Sequence, residues 1–313
     1  MFMKPMLRFV PDGTKIRFMN GRFAGLIVSA VLSTASAILF FYPGLNLGLD
    51  FKGGVVLQVE TPQTANFPAI RAALAQAGLA DASLQSFGAA GTGVLISLES
   101  KASAAATQTS ITEAQTALAS AAPGAKILST QAIGASVSQQ LFAQGLEALG
   151  LSFVMILAYI WFRFEWQFAV GAVTTLILDT TKTIGFMVIT RIPFDLVTIA
   201  AILTIIGYST NDKVVVYDRV RENLRKYKTM PLRNLIDQSI NETLNRTLGT
   251  SGTVFLAALP LALFGGSALS GFAWIMLFGI VVGTSSSIFI AAPILLFLGE
   301  HRLRRSGSLP KTK

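Results

Sequence analysis

Apolar positions along this chain follow two different rules. In six stretches, residues 23–42, 145–162, 168–190, 196–217, 247–264 and 272–298, they run almost without interruption. A helix needs roughly 17 to 25 predominantly apolar residues to cross a hydrocarbon core of ~30 Å, and each stretch reaches that length. Residues 55–134 obey the second rule, with short β-prone runs separated by Ala-rich helical ones. There the pattern predicts strand 55–60, helix 66–77 closed by Gly78, strands 82–87 and 94–98 joined through Gly91 and Gly93, helix 102–119 and strand 126–132. That order is βαββαβ, the ferredoxin-like arrangement. The expected fold class is an α-helical integral membrane protein of six transmembrane helices, with a small α+β domain on the extracytoplasmic side between helices 1 and 2. The helices of that domain are poor in charge, which suits a docking surface and a plain globular insert equally.

The chain divides accordingly into an amino-terminal flank 1–22, a first membrane helix 23–42, the α+β domain and its connectors 43–144, a five-helix region 145–299 with a cytoplasmic loop 218–245, and a basic tail 300–313. Hydrophobic residues make up 52% and charged ones only 13%, which sets the chain among integral membrane proteins. The net charge of +9 would suit nucleic acid, but the cations gather beside the apolar runs. Lys4, Arg8, Lys15, Arg17 and Arg22 precede the first run and Arg163 follows the second. Arg219, Arg221, Arg225, Lys226, Lys228 and Arg233 follow the fourth, and Arg302, Arg304, Arg305, Lys311 and Lys313 the sixth. An even number of crossings separates these groups, so all fall on one side, the cytoplasm by the positive-inside rule. Both termini are then cytoplasmic, the uncharged loop 265–271 faces outward, and no nucleic-acid partner is expected. The first run is too long for the core of a cleaved signal and reads as an uncleaved helix. With no cysteine, His301 as the one histidine and no phosphate-binding loop, the sequence offers no disulfide, no His-rich metal site and no nucleotide hydrolysis. No cofactor or enzymatic activity is expected.

Against this apolar background a few polar residues stand out. Asn211, Asp212 and Lys213 lie inside the fourth run, where a central charge costs on the order of 3 kcal/mol. Asp212 is five residues from the end of the run. It therefore reads either as a headgroup-level residue with a local partner or as an ion or proton site facing a helix bundle. Asp179 and Lys182, three apart on one face of the third run, are expected to neutralise each other. Arg246 opens the fifth run at the depth of Asp212, where it can either meet that carboxylate or snorkel to the interface. Burial favours the neutral acid and a nearby guanidinium favours the carboxylate, so a small helix shift would switch such a site. Lys213 points about 100° away from Asp212 and is expected to act as an anchor near the cytoplasmic face. Residues 230–242 place Leu232, Leu235, Ile236 and Ile240 on one helical face, as in an amphipathic surface helix or a packing helix. Gly279 and Gly283, followed by Ser285, Ser286 and Ser287, suit close helix contact with no chemistry of their own. An intramembrane aspartyl protease would need Asp179 and Asp212 to share a proton; no G-x-G-D accompanies them, and Lys182 and Lys213 oppose it.

Several of these stretches carry a resemblance. Residues 207–223, GYSTNDKVVVYDRVREN, look like the G-Y-S-x-N-D-x-V-V-V-[FY]-D-R-x-R-E-N signature of the SecF branch of the SecD/SecF family of protein translocase subunits. The stretch Gly48-Leu49-Asp50-Phe51-Lys52-Gly53-Gly54 resembles the family's G-[LI]-D-F-x-G-G, and Thr243-Leu244-Asn245-Arg246-Thr247 its T-L-x-R-T. The resemblance implies a subunit of the bacterial plasma membrane that pairs with a SecD-like partner and assists the Sec channel and its ATPase. It would use the proton gradient to complete export of unfolded polypeptides. It also implies proton coupling by Asp212 and Arg246, with Asp179, Lys182, Asn211 and Tyr208 in supporting positions. Asp50, Gly53, Gly54, Asp218, Arg219, Arg221, Glu222 and Asn223 are implied as further motif residues. One departure stands out: the family usually has His-Asp at Leu178-Asp179 and an apolar residue at Lys182. The six-span layout with a domain after the first span would also fit half of a small-molecule exporter of the resistance-nodulation-division type. A non-transporting scaffold is the third possibility.

Overall fold

A computed structural model of the chain describes residues 11, 14–87, 91–99 and 104–299. Lys4, Arg8, His301 and the basic residues of the tail lie outside these described residues. Six helical segments are long and apolar enough to cross a membrane: Phe18–Phe41, Ala135–Arg163, Trp166–Thr190, Leu196–Lys226, Leu232–Phe264 and Leu269–Leu298. The first contains α1 (Arg22–Phe41); a single-turn helix, α2 (Leu49–Lys52), follows it. Next come β1 (Gly54–Glu60), α3 (Phe67–Gln76), β2 (Ser83–Phe87), β3 (Gly93–Leu98), α4 (Ala104–Ala121) and β4 (Lys126–Ile133). The membrane helices then continue as α5 (Ala135–Arg163), α6 (Trp166–Thr190), α7 (Leu196–Lys226), α8 (Leu232–Phe264) and α9 (Gly266–Ser286). A π-helical turn at Ser287–Ala291 joins α9 to α10 (Ala292–Gly299).

The strands form one antiparallel sheet in the order β2-β3-β1-β4, with Val55 opposite Leu98 on β3 and Ala132 on β4. Alternation in β1 and β3 sends Val55, Leu57, Val59, Val94, Ile96 and Leu98 to one face, where Ile70 and Leu74 of α3 and Ile111 and Leu118 of α4 cover them. This is a core of its own, separate from those of the helix bundle. In the bundle, Leu176, Ile199, Ile202, Ile205, Ile275 and Ile280 fill one half. Met19, Phe168, Tyr217, Leu232, Ile236 and Leu295 fill the other.

Some elements run differently from the sequence pattern. The second membrane helix begins at Ala135, ahead of residue 145, because nothing in the polar turn Gln139-Gln140 breaks it. Residues 232–264 form a single helix, so the amphipathic segment is continuous with the fifth membrane helix and packs against the bundle, the packing-helix alternative. Pro231 starts it, no breaker intervenes before residue 247, and Leu232, Leu235, Ile236 and Ile240 are buried in the bundle.

Candidate functional site

Three helices converge on Asp179. Asp179 and Lys182 lie three apart on α6, both buried, as the helical spacing requires. On α7, Ser209 and Lys213 form an i,i+4 pair facing α6. α9 comes close because Gly279 and Gly283 leave room: a Cβ at Gly279 would overlap Ile205, and one at Gly283 would press on Ser209. The approach brings Ser286 to the carboxylate.

Asp179, 2% exposed, accepts at Oδ2 from Lys213 Nζ at 3.0 Å, Ser209 Oγ at 2.9 Å and Ser286 Oγ at 2.6 Å. Its Oδ1 accepts from Lys182 Nζ at 3.3 Å. The Asp179–Lys182 pair expected from spacing is present, and a second ammonium shares the same carboxylate. Lys213 is 1% exposed and also donates to the Ser209 carbonyl at 3.3 Å and to Ser209 Oγ. Its expected role as an interfacial anchor gives way to a buried ion pair, since the 100° turn that separates it from Asp212 aims it at α6. Each charge of such a group is tolerable in a dry interior only while it stays paired.

Asp212 is buried one position away, beside the hydroxyls of Ser287 and Thr247. Its Oδ2 and Thr247 Oγ1 have no hydrogen-bond partner among the described residues. One helical turn earlier, Tyr208 donates to Ser251 Oγ at 2.9 Å, and Ser251 pairs with Thr284 Oγ1 at 2.8 Å. The run Tyr208–Asp212 on α7 thus faces Ser251–Thr247 on α8. This register turns the adjacent Arg246 outward: its side chain is exposed and forms no ion pair among the described residues. Asn211 is exposed as well. The structure therefore brings together Asp179, Lys182 and Lys213, sets Asp212 beside Lys213, Ser287 and Thr247, and leaves Arg246 and Asn211 apart. Ser209, Thr247, Ser286 and Ser287 were not singled out from sequence as polar ligands. Small hydroxyl residues in apolar helices are common, and only packing shows which ones face a charge.

The remaining motif residues sit at the two ends of α7. At one end Asp218 pairs with Arg163 at 2.7 Å, and Arg219 pairs with Glu222 and Glu242, each at 2.6 Å. Asn223, buried, donates to Ser239 Oγ at 2.9 Å and Glu242 Oε2 at 2.8 Å. Arg221 lines a cleft of about 530 Å³ with Arg163, Asp218, Glu222, Arg225 and Lys226. At the other end Asp195 caps α7 through Thr198 N at 2.8 Å, and Asp50 Oδ2 accepts from Leu196 N at 3.0 Å. Burial pushes the Asp195 carboxyl above the usual carboxylate range, against the pull of its Thr198 hydrogen bonds. Gly48 N donates to the Phe194 carbonyl at 2.8 Å, and Gly53 and Gly54 take φ of +70° and +116°, which favour glycine. The glycine-rich stretch thereby ties β1 to the start of α7.

Comparisons with known proteins identify the family. Residues 113–301 match the family model "Protein export membrane protein SecD/SecF, C-terminal", and residues 38–65 match "SecD/SecF GG Motif". The chain is similar to the protein translocase subunit SecF of Rhodobacter capsulatus, 40% identical over 95% of this chain and 92% of that one. It is likewise similar to that of Rickettsia rickettsii, 42% identical over 96% and 97%. Among solved structures it resembles SecDF, a translocon-associated membrane protein from Thermus thermophilus, with a TM-score of 0.83 and 30% identity over 91% of this chain. It spans 39% of the length of that solved chain. With one family model matching well over half of its length and full-length relatives at this identity, the chain belongs to the SecF family of protein translocase subunits.

Proposed function

We propose that this protein works with a SecD-like subunit beside the Sec channel and its ATPase, drawing on the proton gradient to assist late stages of polypeptide export. The observation that carries this reading is Asp212: a buried carboxylate on a membrane helix, with one oxygen lacking any hydrogen-bond partner among the described residues. Such a group holds a proton easily in a dry site and releases it when a cation or water arrives. In this reading Arg246, on the turn of α8 beside Thr247, approaches when the helices shift and favours the ionised form. Tyr208 supports the α7–α8 contact, and the Asp179 group holds α6, α7 and α9 in register. The βαββαβ unit is a ferredoxin-like domain on the extracytoplasmic side, and both termini are cytoplasmic. The glycine-rich stretch carries movement between that domain and α7.

The length agreement with SecF relatives favours a polypeptide translocase over half of a small-molecule exporter. The test is to strip the chain from inner-membrane vesicles and restore it. Restoration should return the gradient-dependent part of preprotein export, and the chain should co-purify with a SecD-like subunit. Unchanged export together with gradient-driven efflux of small molecules would favour the exporter instead.

A further inference from the structure

The end of α7, beyond its buried charges, carries a second concentration of charge, and this one is open. Arg221, Glu222 and Arg225 stand three, four and seven positions after Asp218, which puts all four on one helical face. Arg219 and Asn223 lie on the neighbouring face and are held by α8, through Glu242 and Ser239. The first face turns instead toward the end of α5, and with Arg163 and Lys226 it lines the cleft of about 530 Å³. Both carboxylates of that cleft are already taken, Asp218 by Arg163 at 2.7 Å and Glu222 by Arg219 at 2.6 Å. Arg221 and Arg225 form no ion pair among the described residues, and Lys226 lies over the Tyr227 ring. The cleft thus holds an excess of cations, and guanidinium groups in that setting suit a phosphate or carboxylate from outside the chain.

Depth along the helices narrows the choice of anion. Arg163 directly follows the apolar run 145–162, so its bond to Asp218 marks the edge of the hydrocarbon. At 1.5 Å per residue, Arg221 lies about 4.5 Å beyond Asp218 along α7 and Arg225 about 10 Å. The headgroup layer is about 5–7 Å deep on each side of the core, so these two guanidinium groups bracket the level of lipid phosphates. Beside them Trp161, Phe162 and Trp166 are 64%, 88% and 42% exposed, rings of the kind that sit at a membrane interface. We propose that the cleft binds the headgroup of an anionic phospholipid, with Arg221 and Arg225 on its phosphate and Trp161, Phe162 and Trp166 along its acyl chains. In the topology proposed above this lipid belongs to the cytoplasmic leaflet, where basic pockets between membrane helices take anionic headgroups. Bound there, it would fix the end of α7, the helix that carries Asp212, against the membrane surface.

The test uses the full chain, alone and assembled with its SecD-like partner, in bilayers of phosphatidylglycerol and phosphatidylcholine. One lipid or the other carries a photoreactive group near the top of an acyl chain, and the adducts are located by mass spectrometry. A basic residue at the surface enriches an anionic lipid about fivefold, so adducts on residues 159–166 should favour phosphatidylglycerol by about that factor or more. Arg221→Gln with Arg225→Gln should bring the two lipids close to equal. Lys15→Gln with Arg17→Gln removes two exposed cations outside the cleft and should leave the preference unchanged, which a general attraction of positive charge for the lipid would not do. Equal labelling by both lipids in the wild type, or a preference that the Arg221 and Arg225 changes do not lower, overturns the proposal. Loss of the preference in excess inorganic phosphate would make the cleft a site for soluble anions, and loss on adding the partner would make it a contact between subunits; either result overturns a lipid site.

Discussion

Removing the Asp179 carboxylate strands two ammonium groups, Lys182 and Lys213, among apolar helices. Breaking a buried pair by deleting one partner costs about 3–5 kcal/mol, because the remaining charge has nowhere to go. Asp179→Asn should therefore lower the thermal unfolding temperature of the detergent-solubilised protein sharply. Removing both cations as well, in Asp179→Asn with Lys182→Met and Lys213→Met, should recover most of that loss, while removing Lys182 alone should recover only part. Equal recovery by the double and triple variants would mean that Lys213 does not pair with Asp179. The i,i+3 pair was legible in the sequence because both residues lie on one helix. The Lys213–Asp179 bond spans 34 positions and depends on how α7 rotates against α6, which single-helix periodicity leaves undetermined. The same rotation separates Arg246 from Asp212: equal depth along two helices was legible, but the facing direction was not.

Close contact between α7 and α9 is what assembles the polar site, and it depends on absent side chains. At Gly279 any Cβ meets Ile205, so Gly279→Leu should push the helices apart and cost about 1–3 kcal/mol as overpacking. A drop in unfolding temperature together with loss of a Ser209–Ser286 engineered-cysteine cross-link would confirm the contact; an unchanged cross-link yield would contradict it. The sequence signalled this packing through its glycine spacing, yet not its purpose, which is to carry Ser286 to Asp179 and Ser287 toward Asp212. The π-helical turn at Ser287–Ala291 begins at this point, and such turns have no clear sequence mark. The strands and helices of the α+β domain were the easiest elements to read, since period-2 alternation and glycine punctuation bound each one. Helix ends were harder: α5 and α8 each extend beyond their apolar runs because polar residues continue a helix whenever no breaker stops them.

For the whole molecule, the spacing of the apolar runs already implied six crossings, and the distribution of basic residues implied which side each loop occupies. Orientation can be checked directly, because the chain contains no cysteine. Thr112→Cys on α4 and Thr229→Cys between α7 and α8 are both exposed, and an impermeant thiol reagent should reach them from opposite sides of a sealed vesicle. Labelling from the same side would overturn the assignment. Within that frame, α7 links three regions: the glycine-rich stretch at its start, the buried charges along its length, and the Arg163, Glu242 and Ser239 contacts at its end. A proton arriving at Asp212 would thus act on a helix tied to the α+β domain through Asp50. The most direct measurement is preprotein export into inverted membrane vesicles carrying Asp212→Asn or Arg246→Met, each assayed with and without a proton gradient. Both variants should assemble, retain the gradient-independent part of export and lose the gradient-dependent part. Full stimulation by the gradient in Asp212→Asn would contradict the account.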